Sequence, residues 1–265
     1  MNILLTNDDG IMAEGIAAMS AALSTIANVY VVAPKEQKSA SGHGITIGKN
    51  MTVEQMSLPP AVRAFAVDGT PADCVRMGLF MLNKSGVIIH KVVSGANHGM
   101  NLGTDTLYSG TVSAAVEGAM NRKPSIAISV CTSQPTNFEA ARKMVIMAVE
   151  LPLDIHGAST ALSINIPHRS WEEIKGIVVT RLGVMEYDEK YYEINKDVSK
   201  DNMREFSYNG KAVFNNSILP GTDIKGSREG YITITPLHFD LTDHTSLNRL
   251  SECINICKGK YEQFQ

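Results

Sequence analysis

Residues 1–10 read MNILLTNDDG, and the fold turns on them. The apolar run Ile3-Leu4-Leu5 drops directly into Asn7-Asp8-Asp9-Gly10. A short apolar run closed by polar residues and a glycine predicts a buried strand and its exit loop. Two adjacent carboxylates at the end of a strand repel one another, so one of them is raised in pKa or the pair recruits a cation. In open α/β sheets the carboxyl edge is also where ligands bind. A divalent-metal site at Asp8 and Asp9 is one reading. The other is a plain turn at Asp9-Gly10 with Asp8 capping the next helix. The stretch alone leaves both open.

Working outward, the spacing of Ile16, Met19, Leu23 and Ile26 predicts a helix over 12–27, and the β-branched run over 29–33 predicts a second strand ended by Pro34. Strand, helix and strand within about thirty residues make a βαβ unit and hence a parallel sheet. The next loop, KEQKSASGHGITIG, is rich in serine and glycine. If the first two strands are neighbours, it lies beside Asp8 and Asp9. The Ser39 and Ser41 hydroxyls and the amides around Gly42 and Gly44 suit a metal or a phosphate, unless the loop is merely flexible.

Residues 51–67 predict a hairpin excursion around Pro59-Pro60. Thr70-Pro71-Ala72-Asp73 predicts a capped helix start, with Asp73 left as a residue that could face a ligand. A strand is expected over 86–94. It opens into SGANHGMNLGTDTLYSGTVSAAVEG at 94–118, where Asn97 and Asn101 alternate with glycines and offer neutral oxygens. Ser109-Gly110-Thr111 opens an alanine-rich helix, whose N–H groups and dipole suit a phosphate. Neither a Walker A loop nor a GxGxxG fingerprint is present. Further strands are expected over 125–130, 161–166, 176–181 and 231–235, with helices over 138–151 and 247–257.

Residues 187–230 change character, being polar and charged yet carrying Tyr187, Tyr191, Tyr192, Phe206, Tyr208 and Phe214. Aromatic residues seek partners, so this segment predicts an arm leaving the core and an oligomer contact. The histidines, His98 and His156 among them, are scattered and form no metal-binding pair.

Composition bounds the function. The chain has 265 residues, 44% hydrophobic and 19% charged, which suits one large domain with a sizeable core. A net charge of −3 with no basic run gives no support for binding a nucleic-acid polymer. No apolar stretch reaches the roughly 18 residues of a membrane span, and a strand rather than a basic leader opens the chain. A cytoplasmic location with reduced thiols at Cys74, Cys131, Cys253 and Cys257 is the expectation.

Four segments together carry a resemblance: LLTNDDG at 4–10, VVAP with its serine/glycine loop at 31–44, GTPADCV at 69–75 and the long segment at 94–118. In this order and spacing the chain resembles the survival protein E (SurE) family, metal-dependent 5'-nucleotidases, and GYITITPLHFDLT at 230–242 is similar to the family's closing strand. Glu14 departs from the family, which often carries proline there.

The resemblance implies an α/β fold: a Rossmann-like three-layer sandwich with a mostly parallel sheet and an extended C-terminal arm. Residues 1–183 would form the catalytic core. Residues 184–265 would form a protruding oligomerisation arm, a returning strand and a terminal helix. Asp8, Asp9, Ser39 and Asn97 would ligate one divalent cation; an oxygen-only set suits magnesium or manganese. Asp8 and Asp9 would carry the catalysis, while Gly42, Asn101, Ser109, Gly110 and Thr111 would bind the phosphate. The implied substrate is a nucleoside monophosphate, with 3'-nucleotides and short polyphosphate as extensions. The implied partner is a second copy, as homodimer or homotetramer through the arm.

Three rivals remain. A haloacid-dehalogenase-type phosphatase needs Asp-x-Asp, whereas Asp8 and Asp9 are adjacent. A receiver-like signalling domain would be about half this length. A nucleotide-binding module without turnover would bind but release no phosphate.

Overall fold

The computed structural model of the chain describes residues 1–132, 138–151, 160–188, 190–194, 204–213 and 219–261. Phe214 and His156 lie outside the described residues. The chain opens with β1 (Asn2–Thr6), α1 (Glu14–Leu23) and β2 (Asn28–Pro34), the expected βαβ unit. The hairpin excursion is β3 (Val53–Met56) and β4 (Arg63–Val67), and α2 (Pro71–Lys84) follows. Next come β5 (Lys91–His98), α3 (Gly110–Met120), β6 (Ser125–Cys131), α4 (Glu139–Glu150) and β7 (Ala161–Pro167). The later part holds β8 (Ile177–Val179), β9 (Glu186–Asp188), β10 (Tyr191–Glu193), β11 (Phe206–Tyr208) and β12 (Lys211–Val213). It ends with α5 (Asp223–Glu229), β13 (Ile232–Leu237) and α6 (Leu247–Tyr261).

Nine strands form one sheet in the order β3-β4-β2-β1-β5-β6-β7-β13-β8. The run from β4 to β7 is parallel throughout; β3 and β13 run antiparallel to β4 and β7. β1 is the fourth strand, and its residues divide by period two. Ile3 and Leu5 join the core beneath α1 and α4, with Ile16, Met19, Met144 and Val145. Leu4 faces the opposite layer with Val32 of β2 and with Cys74, Val75 and Ala114 of α2 and α3. All three β1 residues are fully buried. Each removes an aliphatic side chain from water, a gain of about 1.5–3 kcal/mol before entropy. The result is the expected α/β three-layer arrangement.

Several expected boundaries move. The strand placed over 86–94 begins only at Lys91 and continues through Asn97 and His98, with a register shift between Ser94 and Asn97. The first helix stops at Leu23; Thr25 and Ile26 instead close tight turns onto Ala22 and Leu23 carbonyls. The excursion over 187–230 is also too long. β9 pairs with β12 and β10 with β11 as two small antiparallel sheets, but α5 is already back on the core, with Asp223 and Ile224 buried. One buried apolar residue in DIKGSRE leaves too faint a period to be read.

The Asp73 carboxylate is buried and committed within the fold. It completes a capping box with Thr70 and also accepts from the Thr46 N–H and hydroxyl. Its role is to start α2 and to pin the loop that precedes β3.

Candidate functional site

The strand order places a topological switch point at β1, because the chain proceeds to β2 on one side and crosses to β5 on the other. A crevice is expected outside the carboxyl ends of those strands. Asp8 and Asp9 leave β1 into that crevice and Asn97 ends β5 beside it. The turn is built locally: the Asn7 side chain donates to the Gly10 carbonyl at 2.8 Å, and Gly10 has φ 98°. The loop after β2 is drawn to the same place, because the Lys38 N–H donates to the Asp8 carbonyl at 2.7 Å. Ser39 follows directly. Its hydroxyl accepts from Gln37 at 2.9 Å, and the same amide reaches Asp9 at 3.4 Å.

The two carboxylates are held differently. Asp8 is 5% exposed and accepts the Thr111 hydroxyl. Burial pushes its carboxyl up to about 6; the Thr111 bond opposes this, and Asp9 beside it adds to the rise. Asp9 is less buried. Burial raises it too, offset by the His98 N–H at 3.3 Å. Among the described residues, no lysine or arginine is bonded to either.

Helix α3 is brought up end-on. Ser109 caps it by accepting the Val112 N–H at 3.1 Å. A Cβ on Gly110 would lie 2.8 Å from the Asp8 Cβ and 3.0 Å from Pro71 Cγ, so only glycine lets the helix start approach the carboxylate this closely.

Asp8, Asp9, Ser39, Asn97, Asn101 and Ser109 line one cleft of about 830 Å³. Gly42, Gly110 and Thr111 do not line it. The Gly42 N–H is committed to the Tyr108 carbonyl at 3.0 Å. Thr111 is fully buried behind Asp8, where its hydroxyl is spent. Asn101 is locked from three sides: its N–H meets Asn165 at 2.9 Å, its amide donates to Ser129 at 2.8 Å, and its carbonyl receives Asn165 at 3.0 Å. The Asn97 amide donates to the Gly99 carbonyl at 3.0 Å, which leaves its oxygen for a ligand.

The donor set fits a hard divalent cation. It offers two carboxylates whose pKa values are raised chiefly by burial, plus a hydroxyl and an amide oxygen. Among the described residues no group of three His, Cys, Asp or Glu is gathered, which does not suit zinc.

Sequence reasoning missed Gln37, whose glutamine sits in a charged KEQK run with nothing to mark it. It also read the arm tyrosines only as an oligomer contact. Tyr187, Tyr191 and Tyr208 line the same cleft as the aspartates, and the Tyr187 hydroxyl bonds Asp105. Asp105 and Met100 were passed over as well.

Known proteins resemble this chain in sequence and in fold. The family model described as Survival protein SurE matches residues 3–189. A protein named 5'-nucleotidase SurE from Clostridium botulinum (strain Loch Maree / Type A3) is 42% identical over 255 residues, covering 95% of this chain and 98% of that one. Another of that name, from Pelotomaculum thermopropionicum, is 40% identical over 260 residues, 97% of each chain. The crystal structure of the SurE protein from Aquifex aeolicus superposes with a TM-score of 0.81 at 36% identity, covering 96% of this chain and 99% of that one. By family match, identity and fold, the chain belongs to the SurE family.

Proposed function

We infer that this protein is a metal-dependent phosphomonoesterase, a 5'-nucleotidase that hydrolyses nucleoside monophosphates to nucleoside and phosphate. The observation that carries the reading is the adjacent Asp8–Asp9 pair at the switch point, with Ser39, Asn97 and the start of α3 around it. The names of relatives at about 40% identity over nearly the whole chain support the same reaction.

Asp8, Asp9, Ser39 and Asn97 would hold one divalent cation, magnesium or manganese. When bound, that ion supplies positive charge to the phosphoryl oxygens and lowers the pKa of an attacking water. Asp8 is the fixed member of the pair, immobilised by Thr111. Asp9 is open to the cleft and bonded only at 3.3 and 3.4 Å, so its carboxylate is the one able to orient the water and take its proton. The Ser109 hydroxyl and the second N–H of the Asn101 amide are the neutral donors that the cleft offers to phosphoryl oxygens, while Gly110 serves by letting the start of α3 approach Asp8. Gly42 acts indirectly, tying the Ser39 loop to Tyr108. The water oxygen forms the new bond to phosphorus as the bond to the ribose oxygen breaks, and that oxygen takes up a proton from solvent.

Hydrolysis of 3'-nucleotides and short polyphosphate is part of the same proposal. So are residues 1–183 as the catalytic core, residues 184–265 as the appended arm, self-association through that arm, and a cytoplasmic location. No described helix is long and apolar enough to cross a membrane. The test is phosphate release from AMP, GMP, UMP and a 3'-nucleotide with magnesium, with manganese and without metal. Release that needs metal is expected. Folded protein that releases no phosphate from any substrate under any condition refutes the reading.

A further inference from the structure

The buried strand β7 carries an amide, Asn165, that is 1% exposed. Burying an amide is costly unless its polar atoms find partners. Both find them on one residue. The Asn165 oxygen accepts the Asn101 N–H at 2.9 Å, and its nitrogen donates to the Asn101 carbonyl at 3.0 Å. Longer contacts reach the Cys131 thiol at 3.9 Å and the Ser163 hydroxyl at 3.5 Å. Asn101 lies between β5 and the turn at Gly103–Leu107, outside any strand, so its backbone has no ladder to join. A primary amide presents a donor and an acceptor side by side. Asn165 therefore does for the Asn101 backbone what a neighbouring strand would do.

The sheet sets the direction of this grip. Asn97, Ser129 and Asn165 are register partners across β5, β6 and β7. Ile128 and Ile164, one residue earlier on their strands, join the core beneath α1 and α4, so Ser129 and Asn165 stand on the opposite, α3 face. There the Ser129 hydroxyl accepts the Asn101 side-chain amide at 2.8 Å. Asn101 is held by its backbone through Asn165 and by its side chain through Ser129, and it lines the cleft together with Asn97. Two residues on, the Gly103 N–H is anchored independently to Asp223 at 2.7 Å.

We propose that Asn165 is a positioning residue that, with Ser129, aims the Asn101 amide at the phosphoryl group of the substrate. This rests on the nucleotidase reading and deepens it, because it sets the phosphate end of the cleft from β6 and β7. One Asn101 N–H is spent on Ser129, which fixes where the other points. A neutral donor acts on a phosphoryl oxygen most effectively when its direction is set in advance. Among the described residues, no hydrogen bond joins Asn165 to Asp8, Asp9, Ser39 or Asn97. Phosphate binding and cation binding should therefore separate under mutation.

The test is AMP hydrolysis in manganese, with inorganic phosphate as inhibitor. Asn165→Ala should raise both the KM for AMP and the inhibition constant of phosphate about tenfold. The manganese concentration for half-maximal activity should change by less than about twofold. A variant that merely lost folded protein would lower kcat and leave both constants in place. Asn165→Asp keeps the volume and the acceptor but loses the donor when ionised, so it should shift both constants in the same direction if the alanine variant does not fold. Ser129→Ala spares both backbone bonds and should shift them by about threefold. Asn101→Ala keeps its backbone bonds to Asn165 but has no amide to aim. Adding Asn165→Ala or Asn165→Asp to it should therefore cost nothing further in KM or in phosphate inhibition. The proposal is overturned if the folded Asn165 variants leave both constants unchanged, or if their effects multiply in full with that of Asn101→Ala. Wild-type protein that releases no phosphate from AMP would refute the nucleotidase reading instead. Calorimetric binding of inorganic phosphate to the same variants in manganese would then decide the positioning role, with unchanged affinity in the Asn165 variants refuting it.

Discussion

Asp8 is a carboxylate that the fold holds at a cost. Its pKa is raised by burial to about 6 from an ordinary 3.8. A folded pKa above the unfolded value means that the native state binds the extra proton between those two values. Stability therefore falls as pH rises through that window, and the penalty is complete above it. A bound cation would cancel that penalty. Two outcomes are expected in thermal denaturation. Added manganese should raise Tm more at pH 7.5 than at pH 5. Asp8→Asn should raise the metal-free Tm at pH 7.5 and abolish the manganese shift; a lower metal-free Tm would contradict this. Gly110→Ala should also cost activity sharply, since its Cβ has only Asp8 and Pro71 to push against. A loss of about 1–3 kcal/mol in stability is expected from denaturant midpoints. At this scale, the structure gathers Asp8, Asp9, Ser39 and Asn97 in one cleft, whereas the residues alone read equally well as a plain turn and a helix cap, and it was the family resemblance that joined the four. The sequence misplaced Thr111, because a hydroxyl at a helix start looks the same whether it faces a ligand or a neighbouring carboxylate.

At the scale of elements, the site depends on where α2 and α3 begin. Asp73 starts α2 and also clamps Thr46, so one carboxylate fixes a helix end and the tail of the Ser39 loop. Burial alone would raise its pKa; the bonds from Thr46 and Thr70 outweigh it and hold the carboxyl below its ordinary value. A depressed carboxylate contributes stability above its unfolded pKa and loses it as pH falls through the folded one. Asp73→Ala should therefore destabilise by about 1–2 kcal/mol at pH 7. The gap from wild type should narrow as pH falls below the ordinary carboxylate range, as measured by urea unfolding at neutral and at acid pH. A gap of equal size at both would show that the ion does not matter. The capping signal at Thr70-Pro71-Ala72-Asp73 was fully legible, since it is local. The extension of β5 through Asn97 was not, because a strand that resumes after a register shift leaves no period in the sequence. Nor was α5, which is held by Asp223 accepting from Gly103 at 2.7 Å and Gly183 at 2.8 Å, residues 120 and 40 positions away.

In the whole molecule, a nine-stranded sheet gathers three distant loops at one switch point, and β1, the fourth strand, makes that crevice with its neighbours β2 and β5. The parallel core was readable from alternating strand and helix periods. How the later segments return to it was not, because β13 pairs antiparallel to β7 and places β8 outermost, which no local pattern dictates. On α6, Leu247, Leu250 and Ile254 are exposed and share one face of the helix. An apolar stripe of that kind marks a protein contact. Light scattering should find the full chain as an oligomer and Leu250→Glu/Ile254→Glu as a smaller species; a monomeric wild type would count against self-association. Everything else follows from the cleft, so the decisive measurement is phosphate release from AMP by chelator-treated protein before and after magnesium or manganese is restored, with Asp9→Asn alongside. Activity should vanish on chelation, return with the ion, and stay absent in the folded Asp9→Asn variant. Full activity in chelator, or in Asp9→Asn, would contradict a cation-dependent site at Asp8 and Asp9.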